Sequence, residues 1–169
     1  MWKANPIHNK LLKRLFGEFK RNKKYKILDA GSGRTSLLFL SKQFMESNIT
    51  AIIYPGDERK RSGIKESVKT KNYLLQELDL HKFKQKEKFD IVLAHLLLGE
   101  ATKFSKKPFA KMLESLFKIK TDYLLIVDIL DDPAVDYRLI LQFFAQKGEV
   151  QKIVFEDKYI GFLLRVGKK

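Results

Sequence analysis

Apolar runs of five or six residues alternate with stretches of helical period along most of this chain, and few folds accommodate that rhythm. The runs occupy residues 25–30, 49–54, 73–78, 89–93 and 123–127. Between them, Leu37, Leu38 and Leu40 predict a helix over 36–43, and residues 64–71 predict a second. Met112, Leu113, Leu116 and Phe117 predict a third over 109–117, and residues 136–146 a fourth. Helical segments between strands are the crossovers that parallel pairing requires. Run 89–93 is apolar throughout, which suits a strand covered on both faces. The pattern changes near the C-terminus, where residues 149–155 and 159–166 flank Asp157-Lys158 and read as an antiparallel pair. The predicted fold class is α/β: a doubly wound, mostly parallel, seven-stranded sheet closed by a C-terminal antiparallel hairpin.

Within what reads as a single domain overall, residues 1–24 form a basic amphipathic helix set before a sheet unit over 25–169. Leu11, Leu12, Leu15, Phe16 and Phe19 recur at helical spacing within 7–19, with Lys10, Lys13, Arg14 and Lys20 between them. Docking on the domain is the first expectation for this helix, and contact with a partner the second. Further basic groups run from Arg59 to Lys71 and through Lys103, Lys106, Lys107, Lys111, Lys118 and Lys120. With 34 basic and 20 acidic residues the net charge is +14. Such an excess suits an RNA or another polyanion as partner, or else a solvated lysine surface. Lysine outnumbers arginine, and lysine is a point charge without a planar fork.

The absence of cysteine excludes disulfides, a thiol nucleophile and thiolate metal sites. The longest strongly apolar stretch, 91–98, is interrupted by His95 and falls short of the ~18–20 residues that span a bilayer. We therefore expect a soluble cytoplasmic protein with no membrane partner.

In a doubly wound sheet, ligands bind outside the carboxyl ends of the strands. Here those ends carry Asp29-Ala30-Gly31, Tyr54 to Asp57, Asp79-Leu80, Ala94-His95 and Asp128 to Asp132. The first is followed by Ser32-Gly33-Arg34-Thr35-Ser36, a glycine turn that opens a helix. Glycines let backbone approach a ligand, and the helix start offers unpaired N–H groups. Asp29 decides the subtype. A pyrophosphate is anionic and disfavours a carboxylate there, which argues against a nicotinamide-dependent oxidoreductase. A ligand with an ammonium group and hydroxyls suits it.

On Asp29, Gly31 and Gly33 the chain resembles the small class I S-adenosylmethionine-dependent methyltransferases, whose first motif is acid-x-Gly-x-Gly-x-Gly. It departs at Thr35, where a third glycine is expected. The resemblance spans 25–166 and implies S-adenosylmethionine as cofactor. It implies that Gly31, Ser32 and Gly33 line the methionine portion and the ribose. It also implies that Asp79 contacts the adenine amino group with Leu80 beside the ring, and that Ala94 and His95 abut the transferred methyl. The family's ribose-binding acid at the end of strand two is missing, because Ile53 and Tyr54 stand there. Asp57, after Pro55-Gly56, either folds back to replace it or caps the next helix.

His95 is the best candidate base, with Glu100 five residues on to orient it or to bind substrate. A histidine bonded within a structural loop is the competing reading. His8 and His81 read as surface residues. No Asn-Pro-Pro-Tyr or Asp-Pro-Pro-Tyr motif follows strand four, which argues against amino methylation of adenine or cytosine in the usual family manner. Asp128, Asp131, Asp132 and Asp136 have no recognised metal-loop spacing, so they read as a solvated strand end and helix cap, with no metal expected. Three functions follow in order: a methyltransferase acting on RNA or on a small molecule, a cofactor-binding protein of the same fold that is inactive alone or acts in a complex, and the oxidoreductase that Asp29 disfavours.

Overall fold

The computed structural model describes residues 5–104 and 108–167, with side chains for all of these except 101–104. Trp2 and the side chains of Lys3, Lys103, Lys106 and Lys107 lie outside the described residues. The elements run α1 (Pro6–Leu15), β1 (Lys26–Ala30), α2 (Arg34–Gln43), β2 (Asn48–Ile53), α3 (Glu58–Ser67) and β3 (Tyr73–Glu77). After a 3-10 turn at Leu80–Lys82 come β4 (Phe89–His95), α4 (Leu97–Phe104), α5 (Phe109–Phe117), β5 (Thr121–Ile129), α6 (Tyr137–Lys147), β6 (Gly148–Glu156) and β7 (Tyr159–Val166).

The seven strands form one sheet in the order β3-β2-β1-β4-β5-β7-β6. β1 to β5 pair in parallel, and β7 is antiparallel to both of its neighbours. This is the predicted class. The strand order reverses between β1 and β4, where Asp29 lies opposite Leu93 and Ala30 opposite Ala94. Side chains of a strand alternate between faces. Ile27, Ile91 and Leu93 accordingly enter a core with residues of α1, α2 and α3, while Leu28, Val92 and Ala94 enter one with residues of α4, α5 and α6. Burial on both faces is why these strands carry no polar alternation.

α1 docks on the closing hairpin. Leu11, Leu12, Leu15 and Phe16 are fully buried or nearly so, each contributing on the order of 1.5–3 kcal/mol of burial. Close approach depends on Gly161 of β7, because a Cβ there would lie 2.5 Å from Leu15 Cδ1 and 3.0 Å from Leu11 Cδ2. Lys10 and Arg14 pair with Glu156, and Arg14 also donates to the Phe155 carbonyl at 2.8 Å. Two cations read as candidate polyanion contacts thus hold the helix to its own domain.

Three elements differ from expectation. The second crossover helix starts at Glu58 rather than residue 64, because Asp57 caps it and the run Glu58-Arg59-Lys60-Arg61 suits helix despite its polarity. It ends at Ser67, with Val68 extended. α4 was hidden in the apolar stretch 91–98: β4 ends at His95, Leu96 takes a left-handed φ of 55°, and the helix begins at Leu97. α1 stops at Leu15, before the turn that contains Gly17, although Phe19 still packs on the core.

Candidate functional site

At the strand-order reversal the carboxyl ends open into a cleft of about 630 Å³, within the range of small-molecule sites. Gly31 and Leu97 form part of its wall, with Ile52 and the loop Tyr54, Pro55, Gly56, Asp57 after β2. Arg59 and Lys60 come from α3, Leu78, Asp79 and Leu80 from beyond β3, Glu100 from α4 and Met112 from α5.

The glycine turn is shaped by one residue more than the other. Gly31 has φ +72°, and Leu97 occupies the space that any side chain at 31 would need. Gly33 is extended at φ −129°, caps α2, and has nothing within 4 Å of a Cβ position. Ser32 is buried and donates its N–H to the Ile52 carbonyl at 2.6 Å, tying the turn to β2. Asp29 lies beneath the turn, fully buried, and is not part of the cleft wall. Its Oδ2 accepts hydrogen bonds from Ser32 Oγ at 2.5 Å and Ser36 Oγ at 2.8 Å. Its Oδ1 has no hydrogen-bond partner. Burial pushes this carboxyl up to about 6, against the two hydroxyls and the Lys60 charge.

The loop after β2 brings Asp57 to the cleft and makes it a cap as well. Its Oδ1 accepts from the Lys60 N–H at 3.0 Å, and its Oδ2 lies 4.0 Å from Lys60 Nζ. Tyr54 stands on the same wall and is 56% exposed. Arg61 anchors the loop base by pairing with Glu77 and Glu58. Lys60 Nζ reaches Glu100 Oε2 at 3.0 Å, linking α3 to α4. Arg59 and Lys60, which the sequence offered only as part of a basic group for a polyanion, line the cleft. They stood inside a charge run, and only their position one turn into the helix after β2 pointed to the cleft.

Asp79 caps the 3-10 turn, its Oδ1 accepting from the His81 N–H at 3.1 Å, and Leu80 lies beside it on the wall. Ala94 and His95 are buried at the end of β4 and do not line the cleft. The His95 ring meets His8 edge-on at 4.8 Å, and His8 meets Tyr159 at 4.3 Å. His8 is therefore a core residue, only 6% exposed, and not a surface one. It stands three positions before Leu11 and seven before Leu15, on the stripe that α1 buries. His81 is half-buried, with Nδ1 2.6 Å from Ser115 Oγ. Both His8 nitrogens and His95 Nε2 are buried without hydrogen-bond partners.

Burial, with smaller effects from His8 and Lys60, pushes His95 down to about 3, so it is neutral in the fold at ordinary pH. On unfolding below 6.5 it takes up a proton. Its contribution to stability is complete above pH 6.5 and is lost as pH falls toward about 3. The loss amounts to roughly 3 kcal/mol at pH 4. Asp29 and Asp128, both pushed up to about 6, act in the opposite sense: their contribution is present below 3.8 and lost as pH rises through 6. His8, in contact with His95, is also pushed down by burial and by Lys158, so the difference between wild type and His95→Gln reports on this buried histidine pair. Urea unfolding at pH 7 and pH 4 is expected to show a smaller fall in the variant, and equal falls would assign the acid sensitivity elsewhere.

The acidic group caps helices, as expected, but it is not solvated throughout. Asp128 accepts from the Gly99 N–H at 3.2 Å at the start of α4, and Asp136 from the Leu139 N–H at 3.1 Å at the start of α6. Asp128 and Asp132 are buried. Among the described residues no group of three His, Asp or Glu is placed to hold a metal ion.

No protein-family model matches the chain, and no curated protein matches it by sequence. Solved structures match it in fold. A SAM-dependent methyltransferase from Aquifex aeolicus has TM-score 0.73 at 20% identity, covering 97% of this chain and 95% of that one. The N-methyltransferase NodS from Bradyrhizobium japonicum WM9, in complex with S-adenosyl-L-homocysteine, has TM-score 0.70 at 13% identity, covering 97% and 89%. The 16S rRNA methylase RmtB has TM-score 0.63 at 13% identity, covering 95% and 62%. The chain thus has the class I methyltransferase fold. Among the described residues no helix is long and apolar enough to cross a membrane.

Proposed function

We propose that the chain is a methyltransferase that binds S-adenosylmethionine in this cleft. The observation that carries the reading is the glycine turn. Its left-handed Gly31 is packed against Leu97 beside an orphaned buried carboxylate oxygen, and it faces a wall made by Asp79 and Leu80. The residues fit the cofactor in kind. Leu80 offers an apolar surface for an adenine ring, and Asp79 an acceptor for its amino group. Tyr54 and Asp57 would hold the ribose and Gly31 would give it backbone clearance, while Ser32 is buried and Gly33 lies outside the cleft lining, so both would serve the turn and not the ligand directly. Asp29, buried beneath the turn and off the cleft wall, would lend its charge to an ammonium group without touching it.

When bound, the cofactor supplies a sulfonium methyl, an electrophile for in-line displacement. The chain then has to orient the acceptor and exclude water. Glu100, held by Lys60 on the cleft wall, would bind the acceptor or accept its proton. Ala94 and His95, both buried and off the cleft wall, would touch neither the methyl group nor the acceptor.

A second reading, a cofactor-binding protein that does not transfer alone, is favoured by the burial of His95. The two separate on incubation with methyl-tritiated S-adenosylmethionine and either total RNA or a small-metabolite extract. Label in either acceptor pool supports transfer. Saturable cofactor binding with no label in either supports the second reading.

A further inference from the structure

Charge differs between the two ends of the sheet. The carboxyl ends carry both signs: Asp57, Asp79, Glu100, Asp128, Asp132 and Asp136 stand there with Arg34, Arg59, Lys60, Arg138 and Lys158. The opposite end is built from the loops that precede the strands. The loop before β1 carries Lys20, Arg21, Lys23 and Lys24, all exposed. Lys69 and Lys71 precede β3, Lys84, Lys86 and Lys88 precede β4, and Lys118 and Lys120 precede β5.

Hydrogen bonds join these loops into one surface. Ser47 Oγ accepts from the Tyr25 N–H at 3.0 Å, and the Asn48 N–H donates to the Tyr25 carbonyl at 2.9 Å. The Ile49 N–H donates to the Asn72 carbonyl at 3.0 Å. Gln85 bonds both the N–H and the carbonyl of Lys120, at 2.6 and 2.7 Å.

The acids of these loops, Glu18, Glu46 and Glu87, do not offset this charge, and Glu18 and Glu87 are already paired with Lys152 and Lys26. Lys20, Arg21, Lys24, Lys71, Lys86 and Lys118 make no ion pair with any described residue. Helix dipoles supply a partial reason for cations here, since α2, α3, α5 and α6 all end at this side. Four helix C-termini carry about −2 charges together, and the loop cations exceed that several-fold.

We propose that this end of the sheet docks on the phosphate backbone of RNA, at a surface separate from the cleft. β4 alone has seven residues, so the two ends lie at least ~20 Å apart. These loop cations therefore stand apart from Arg59 and Lys60 of the cleft wall, and they would hold an RNA while the cleft works at another point. RNA is favoured over DNA because loops form the surface. It has no helix to enter a B-form major groove, whereas duplex RNA is recognised through shape and backbone. Lysines suit phosphate contact without base readout. A membrane surface is disfavoured because Met45 is the lone exposed large apolar side chain in these loops among the described residues.

The test uses a fluorescein-labelled 20-base-pair RNA duplex, followed by anisotropy from 50 to 200 mM salt. The variant Arg21→Gln/Lys24→Gln/Lys118→Gln is compared with Lys13→Gln/Arg138→Gln/Lys158→Gln, which removes equal charge away from this end. The first should flatten the log–log salt slope by about 2–3 and weaken binding at least tenfold at 50 mM salt, and the second should change neither. No wild-type binding at 50 mM salt would overturn the proposal. So would equal losses in the two variants, or tighter binding to phosphatidylserine vesicles than to RNA. The inference does not rest on the cofactor reading. Titrating S-adenosylhomocysteine into the same variants, with binding expected unchanged, reports on that reading separately.

Discussion

Gly31→Val is expected to abolish cofactor binding and to lower folding stability by about 2–5 kcal/mol. Two costs add. A left-handed φ of +72° costs a residue with a Cβ about 1–2 kcal/mol, more when the side chain is β-branched. The new side chain also strikes Leu97, which is fixed at the start of α4, and overpacking of that kind costs about 1–3 kcal/mol. The space into which Leu97 can retreat is the cleft that it lines, so relief of the clash would occupy the ligand's place. Gly33→Leu provides the contrast. It stands at φ −129° with open space around it, so stability should stay near wild type. Thermal unfolding with and without S-adenosylhomocysteine reads both effects. A Gly31→Val protein that keeps wild-type stability would show that the turn is not held as described.

Asp79→Ala is expected to weaken S-adenosylhomocysteine binding five- to a hundred-fold. A hydrogen bond to a carboxylate contributes roughly 1–3 kcal/mol, and each 1.4 kcal/mol is tenfold in affinity. Asp79 also caps the 3-10 turn that carries Leu80, so alanine removes an acceptor and loosens the wall beside it. Asp79→Asn keeps an oxygen for the cap and should recover part of the loss. An unchanged dissociation constant in Asp79→Ala would reduce the residue to a cap.

The fold could be read because its strands are buried on both faces. Such strands appear in sequence as plain apolar runs, and the helices between them dictate parallel pairing. The same property concealed α4. Leu97 and Leu98 continue the apolar run of β4, and the break is a backbone reversal at Leu96 that leaves no mark in composition. Asp128, which caps α4, lies some 30 residues away in sequence, so no local capping signal announced the helix. Asp29, Gly31 and Asp79 could be located because a strand end next to a turn is a local pattern. What lies next to them could not. That Asp29 Oδ1 is orphaned, that His8 meets His95, and that Lys60 reaches Glu100 all depend on helix docking. Charge behaved in the same way. The sequence displayed the excess of lysine, and only the topology divided it between the two ends of the sheet.

The central claim is that this cleft takes an adenosyl group carrying a cationic amino acid. Isothermal titration of the full chain with S-adenosylmethionine, S-adenosylhomocysteine and NAD tests it most directly. We predict saturable binding of both S-adenosyl compounds at one site per chain, with NAD weaker by at least tenfold. NAD binding more tightly than either, or no heat from any of the three, would contradict it.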